Sequence, residues 1–242
     1  MPPPPLVPAG VLDDLLRSDP GRPRITCYDD ATGERVELSA KTLANWVAKA
    51  ANLLQEHLDA RPGTSVGLDL PAHWRSAYWA LAGWSVGATL VLGAGATAGD
   101  VVVTTDPASA RDAVADGRYA VLVTLAALAR AHPDAPPGVV DEARELAGHP
   151  DRFVPWERPA AMDPAWRDEV GDTAYARLVD PARHPAGARV RVADRLGPLL
   201  RTALDVWAAD GSIVLCRNAL GDQTERLAAE RVTLDRSGDG AH

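Results

Sequence analysis

Short apolar runs alternate with stretches of helical periodicity along most of the chain, and this alternation limits the fold more than any other feature. Val66–Leu70, Thr89–Leu92, Val101–Thr105, Ala120–Thr124, Ser212–Cys216 and Arg231–Leu234 read as strands. Between them, helical spacing recurs. Leu43, Val47, Ala50, Leu54 and Leu58 form one apolar stripe behind a Ser39 cap, and 71–87, 109–115, 195–209 and 222–230 read as further helices. Strands that alternate with helices cover both faces of a parallel sheet. The expected fold is therefore α/β: a layered, mostly parallel sheet flanked by helices, with an N-terminal hairpin. The hairpin comes from Ile25–Tyr28 and Arg35–Leu38 around the Gly33-bearing turn.

The 242 residues suffice for one large domain or two small ones. Residues 1–10 read as a proline-rich arm, with prolines at 2–5 favouring extended chain, and a short helix, Val11–Arg17, follows. Residues 11–131 form a first βα portion. Residues 132–170, rich in Pro, Asp and Arg, read as a surface excursion with one short helix, Val139–Ala147. Residues 171–236 form a second βα portion of the same domain, and 237–242 a frayed tail.

A formal charge of −8 disfavours a protein that tracks nucleic-acid phosphates. No apolar run approaches the roughly 18 residues of a membrane helix, and the start carries no basic residue of the kind a signal peptide needs. Cys27 and Cys216, too few for a disulfide framework, suggest a reducing, cytoplasmic setting. Of 25 basic residues only Lys41 and Lys49 are lysines, so chemistry that needs a lysine must find it before residue 50.

Two motifs invite catalytic readings. Gly83-Trp-Ser-Val-Gly87 matches the nucleophile elbow of serine hydrolases. That elbow needs a strand before the serine and a helix after it; here the helix comes first, so Gly87 reads as a left-handed helix stop. Gly93-Ala-Gly95-Ala-Thr-Ala98 matches a dinucleotide fingerprint, but a strand and not a helix follows it, which removes the helix N-terminus that would hold pyrophosphate. The six histidines lack paired spacing, so no zinc site is expected. Trp46, Trp74, Trp79 and Trp84 read as core, with an aromatic-walled groove as the alternative.

Residues 25–92 resemble the N-terminal region of the adenylate-forming (AMP-binding) enzymes, the superfamily of acyl-CoA synthetases, luciferases and peptide-synthetase adenylation domains. The resemblance is carried by Ile25–Leu38, the capped helix, Arg61-Pro-Gly-Thr-Ser-Val66 and Trp84-Ser-Val-Gly-Ala88. Leu204–Leu215 and Glu230-Arg-Val-Thr233 are similar to the stretch that follows the superfamily's phosphate loop. The order of these motifs is more specific than any one of them, and the chain resembles a shortened, actinobacterial branch of the superfamily. The resemblance also implies parts that do not appear. A Ser/Thr/Gly run ending in Pro-Lys should fall between Thr124 and Arg195, where there is no lysine; Gly171-Asp-Thr173 is the nearest remnant and reads as a loop. The superfamily's ribose-binding motif and its lysine-bearing C-terminal domain have no counterpart either.

Adenylation needs several donors on the transferring phosphoryl group. The expectation is thus a non-catalytic binding or regulatory protein. The alternative is a weak nucleotide or acyl-adenylate binder with residual acid-activating, ligase-type chemistry, which would take ATP or AMP. A serine hydrolase using Ser85 is the third reading. Open α/β folds place ligands at the carboxyl ends of strands, so Thr104, Thr105, Asp106 and Thr124 are the candidate substrate or nucleotide residues. The partners expected are a second copy of the chain or another protein, with no nucleic acid and no membrane.

Overall fold

Helical stripes and β-branched runs build the elements where the sequence places most of them. The computed structural model describes residues 7–238, so the arm at 2–5 and the end of the tail lie outside the described residues. Helix α1 (Pro8–Ser18) begins three residues before the expected helix, with proline in its first turn, where a missing N–H costs nothing. Strands β1 (Pro23–Asp29) and β2 (Glu34–Ser39) form the antiparallel hairpin. Helix α2 (Ala40–Asn52) ends in a π turn, Leu53–His57. Then come β3 (Ser65–Asp69), α3 (Trp74–Ser85), β4 (Thr89–Val91), β5 (Val101–Thr104), α4 (Pro107–Ala115) and β6 (Tyr119–Leu122).

Past residue 132 the structure departs from the reading of a surface excursion. Strand β7 (Val140–Asp141), helix α5 (Glu142–Glu145) and strand β8 (Pro164–Asp168) lie there. β7 pairs with β6 and β8 with β4, so two stretches of this segment complete a sheet. Strand β9 (Gly171–Ala174) folds back antiparallel on β8. The chain continues with β10 (Arg189–Val192), α6 (Leu196–Ala208), β11 (Ser212–Arg217), α7 (Thr224–Ala229) and β12 (Leu234–Asp235). The last strand starts three residues late because Arg231 takes a left-handed φ of 53°, which breaks extended chain.

The strands form two sheets, not the single one that the alternation alone implies. One runs β12-β10-β11-β1-β2 and is parallel except for β2. The other runs β7-β6-β5-β3-β4-β8-β9 and is parallel except for β9. The layered, mostly parallel α/β class stands as expected. Two units carry these sheets. The first holds residues up to 44, 71–77 and 176 onward; the second holds 45–70 and 78–175.

In the first unit, α1 and α6 pack together, and Val11, Leu15, Leu204 and Trp207 are buried with Ile25, Val190, Ile213 and Val214 of the sheet. The Trp207 indole donates to the Arg24 carbonyl at 3.0 Å, which satisfies its one polar atom. Cys27 lies opposite Leu215, and Cys216 opposite Tyr28. Alternation along adjacent strands sends the two thiols to opposite faces, and both are free. Burial pushes the Cys27 thiol up to about 12, far from reactive thiolate.

In the second unit, Trp79, Trp84 and Trp166 are buried, as core packing requires. Trp84 stacks on Trp166 at 6.4 Å between centroids, and its indole donates to the Ala165 carbonyl at 2.8 Å. Trp46 stacks on Tyr78. Among the described residues no helix is long and apolar enough to cross a membrane.

Candidate functional site

The carboxyl ends of β3, β5 and β6 lie side by side, since Asp69 is in register with Thr104 and Thr104 with Leu122. This is the edge where a parallel sheet receives ligands. Two of the four residues expected to form a site, Thr104 and Asp106, belong to one chain of contacts with Asp69, and Thr105 lies between them in the backbone. The Thr104 hydroxyl, fully buried, donates to Asp69 Oδ2 at 2.7 Å and accepts from the Asp106 amide at 3.0 Å.

Asp106 is the N-cap of α4. Its carboxylate accepts from the Ala108 amide at 3.0 Å and from the Ser109 amide and hydroxyl at 3.1 and 2.9 Å. These bonds, that of Ala108 foremost, hold its carboxyl below the ordinary range. The helix N-terminus that could cradle an anion is thus filled by the chain's own carboxylate. Thr105 is half-buried. Thr124, just past β6, has a buried hydroxyl oxygen with no hydrogen-bond partner among the described residues.

Two further acids at this edge escaped sequence reasoning. Asp69 ends β3 and was legible from its position. Asp141 was not, because β7 is only two residues long. Asp141 lies beside Leu122 and accepts from the His132 and Ala143 amides at 2.8 and 3.2 Å. Next to it, the buried Glu142 carboxylate accepts from the Tyr78 hydroxyl. Asp69, Asp106 and Asp141 make this edge acidic, which opposes a polyphosphate electrostatically.

The lysines lie elsewhere. Lys49 Nζ donates to the carbonyls of Ala147 and His149 at 2.9 and 2.5 Å and pairs with Asp151 at 2.9 Å, a strap on the segment that follows α5. Lys41 is exposed in the first turn of α2. Gly171-Asp-Thr173 is strand β9 and not a loop, and Asp172 forms a two-pronged pair with Arg167 at 2.8 and 2.9 Å. Gly93–Ala98 is a 3-10 turn that carries the chain from β4 to β5, on either side of β3.

At the elbow-like motif, Ser85 ends α3 and its hydroxyl donates to the Leu81 carbonyl at 2.7 Å. Gly87 follows at φ +83°, with the Ala88 amide bonded to the Gly83 carbonyl at 3.0 Å, a left-handed helix stop. Ser85→Ala is expected to change stability by no more than about 1 kcal/mol. It should leave any esterase background unaltered, and a fluorophosphonate probe should label neither form. His73, fully buried, is held neutral, its titration pushed down to about 3 by burial and then by Arg217 and Arg75.

No family model matches the chain. A Mycobacterium tuberculosis protein described as a TIGR03089 family protein is 38% identical over 238 residues, which cover 92% of this chain and 95% of that one. Among solved structures, the acetoacetyl-CoA synthetase of Streptomyces lividans superposes with a TM-score of 0.71 at 16% identity over 96% of this chain. A Brucella canis acyl-CoA synthetase gives 0.70 at 16% identity over 95%. A nonribosomal peptide synthetase gives 0.68 at 18% identity over 96%. The chain spans 42%, 47% and 25% of these three, respectively. Such likeness shows the fold, that of the N-terminal region of AMP-binding and acyl-CoA synthetase enzymes.

Proposed function

Since this chain belongs to the TIGR03089 family, and has the fold of AMP-binding enzymes over nearly all its length, we propose that it is a non-adenylating binding or regulatory protein built on that fold. One observation carries this reading. The sheet edge that would face a nucleotide is lined with carboxylates and hydroxyls that bond one another and cap α4, as in Thr104 to Asp69 and Asp106 to Ala108 and Ser109. Transfer of a phosphoryl or adenylyl group needs the reverse: cations and unoccupied amides facing the developing charge. Arginine could supply charge but not the same loop geometry, and neither lysine belongs to this edge.

Pyrophosphate exchange into ATP, driven by a panel of short, long and aromatic carboxylic acids, tests the proposal. The expected exchange is no faster than without protein. Exchange that depends on one of the acids, and is lost on heat denaturation, would overturn it.

The Thr124 hydroxyl favours a second reading, weak binding of a nucleotide without chemistry, because its oxygen is buried with no hydrogen-bond partner among the described residues. Calorimetry with millimolar ATP, AMP and CoA decides between them. Heat that saturates in the wild type and disappears in Thr124→Val would establish the second reading.

A further inference from the structure

Strand β2 ends the five-stranded sheet on one side, and no strand lies beside its outer edge. Among the described residues its backbone pairs with β1 alone. It is the longest of the four sheet edges: β2 has six residues, whereas β12 and β7 have two each and β9 has four. An open edge of this length displays a row of N–H and C=O groups that a further strand can take up. Proteins blunt such edges with proline, bulges or charge, lysine above all. β2, Glu34-Arg-Val-Glu-Leu-Ser39, has neither proline nor lysine, and its one register shift falls at its last residue. Its charges are of both signs.

Those charges fit a second copy of the same strand. Arg35 and Glu37 are exposed and pair with each other along the strand at 2.9 Å. Two residues apart, they project from one face, and Val36 between them projects from the other. Two copies related by a two-fold axis normal to the sheet run antiparallel. Centring them on Val36 sets Arg35 of each copy opposite Glu37 of the other. Sliding each strand by one residue sets Arg35 against Arg35 or Glu37 against Glu37, so the charges select one register. Neither group has to be free for this: the two Arg35–Glu37 pairs lie head to tail and close a ring of alternating charge. Arg35 keeps its bond to Glu230 at 2.9 Å, which holds the guanidinium on this face.

We propose that the chain forms a symmetric dimer by antiparallel pairing of β2 with β2 of a second copy, centred on Val36. The two five-stranded sheets then become one continuous sheet. Assembly stops at two copies, because a two-fold contact uses the same edge of both and the opposite edge, β12, is only two residues long. One six-residue strand buries little surface, so the dimer is reversible and forms only in concentrated solution. An extended peptide of another protein could take up the same backbone groups but would lack the two-fold charge match, which is what selects a second copy. None of these residues belongs to the strand-end group, and the dimer is independent of what binds there.

The test is sedimentation equilibrium of the full chain at constant ionic strength, from about 1 to about 300 μM. A reversible monomer–dimer equilibrium is expected for the wild type. Glu37→Arg puts arginine opposite arginine and should weaken the dimer about tenfold or more; Arg35→Glu puts glutamate opposite glutamate and should do the same. Mixed in equal amounts, the two variants regain unlike charges at both positions, and the mixed dimer should be about tenfold tighter than either variant alone. Arg35→Glu also removes the bond to Glu230, so hydrogen exchange of the wild type gives a readout that needs no variant. Amides of 34–38 should exchange more slowly at the highest concentration than at the lowest, and those of 234–235 should not differ. A wild type that stays monomeric to the top of the range, a dimer without concentration-dependent protection of 34–38, or a dimer as tight in Glu37→Arg as in the wild type would each overturn the proposal.

Discussion

Gly67→Ala should cost more than about 3 kcal/mol of stability and disrupt the seven-stranded sheet. Gly67 lies in the middle of β3, paired with Val91 on one side and Val102 on the other. A methyl group there would meet the Ala96 carbonyl oxygen at 1.7 Å and its carbon at 2.6 Å. Both are backbone atoms of the turn that links β4 to β5, so no rotamer change relieves the clash. The turn would have to lift off β3 and take the start of β5 with it. Insertion of one methyl into a packed site typically costs 1–3 kcal/mol, and a backbone obstacle at this distance lies at or beyond the top of that range. Gly148→Ala is the control, because its Cβ would meet nothing within 4 Å. Urea unfolding followed by tryptophan fluorescence should show the midpoint fall sharply for the first variant and hardly move for the second. Similar midpoints for both would show that the turn does not depend on Gly67. The dinucleotide-like run Gly93–Ala98 thus supplies, at Ala96, one side of a close crossing of two backbones.

Glu230→Gln is the second large effect, and it carries a pH signature. Glu230 caps α7 and accepts from the Tyr28 hydroxyl, from Arg35 at 2.9 Å and from Arg189. Arg226, one turn earlier, lies over the Tyr28 ring at 4.5 Å and pairs with Asp30 at 2.7 Å. One carboxylate therefore ties α7 to β1, β2 and β10. Burial opposes its charge, but the Tyr28 hydrogen bond and the two guanidinium groups outweigh burial and hold its carboxyl at about 2, below the usual 4.5. A folded-state value below the unfolded one stabilises the fold above about pH 4.5, and the contribution disappears as pH falls through about 2. At ~1.4 kcal/mol per pH unit the gap corresponds to roughly 3 kcal/mol. Glu230→Gln should therefore cost about 2–3 kcal/mol at pH 7, with two arginines left facing a neutral amide. The difference from wild type should shrink steadily below pH 4.5. A penalty that stays constant from pH 7 to pH 3 would show that shape, and not charge, is what Glu230 supplies.

Local signals explain how much of the fold could be read. The Ser39 cap and the apolar spacing from Leu43 to Leu54 mark α2, and the β-branched run Val101–Val103 marks β5, because each has the period of its element within one stretch of chain. The left-handed stop at Gly87 is equally local; the cap that Asp106 gives α4 escaped sequence reasoning, although its partners are only two and three residues away. β8 was not legible: Pro164-Ala-Trp-Arg-Asp168 has little strand propensity and is held by pairing with β4 and β9. β7, with two residues, carries no period at all.

At the strand ends, sequence position located Thr104, Thr105, Asp106 and Thr124 because any parallel strand points its carboxyl end at the same edge. It could not show that Thr104 is already engaged, since its partner Asp69 is 35 residues away.

The sequence by itself determined the alternating α/β class, the lack of any lysine beyond residue 49, and the order of motifs that resembles AMP-binding enzymes. These are properties of composition and short-range period, which survive in an unfolded chain. Only the tertiary structure decided that the strands divide into two sheets, that the glycine turn closes over Gly67, and that β2 is left at the edge of its sheet. Each of these depends on which distant segments become neighbours, and pairing between strands is set by the packing of the whole unit rather than by any window of sequence.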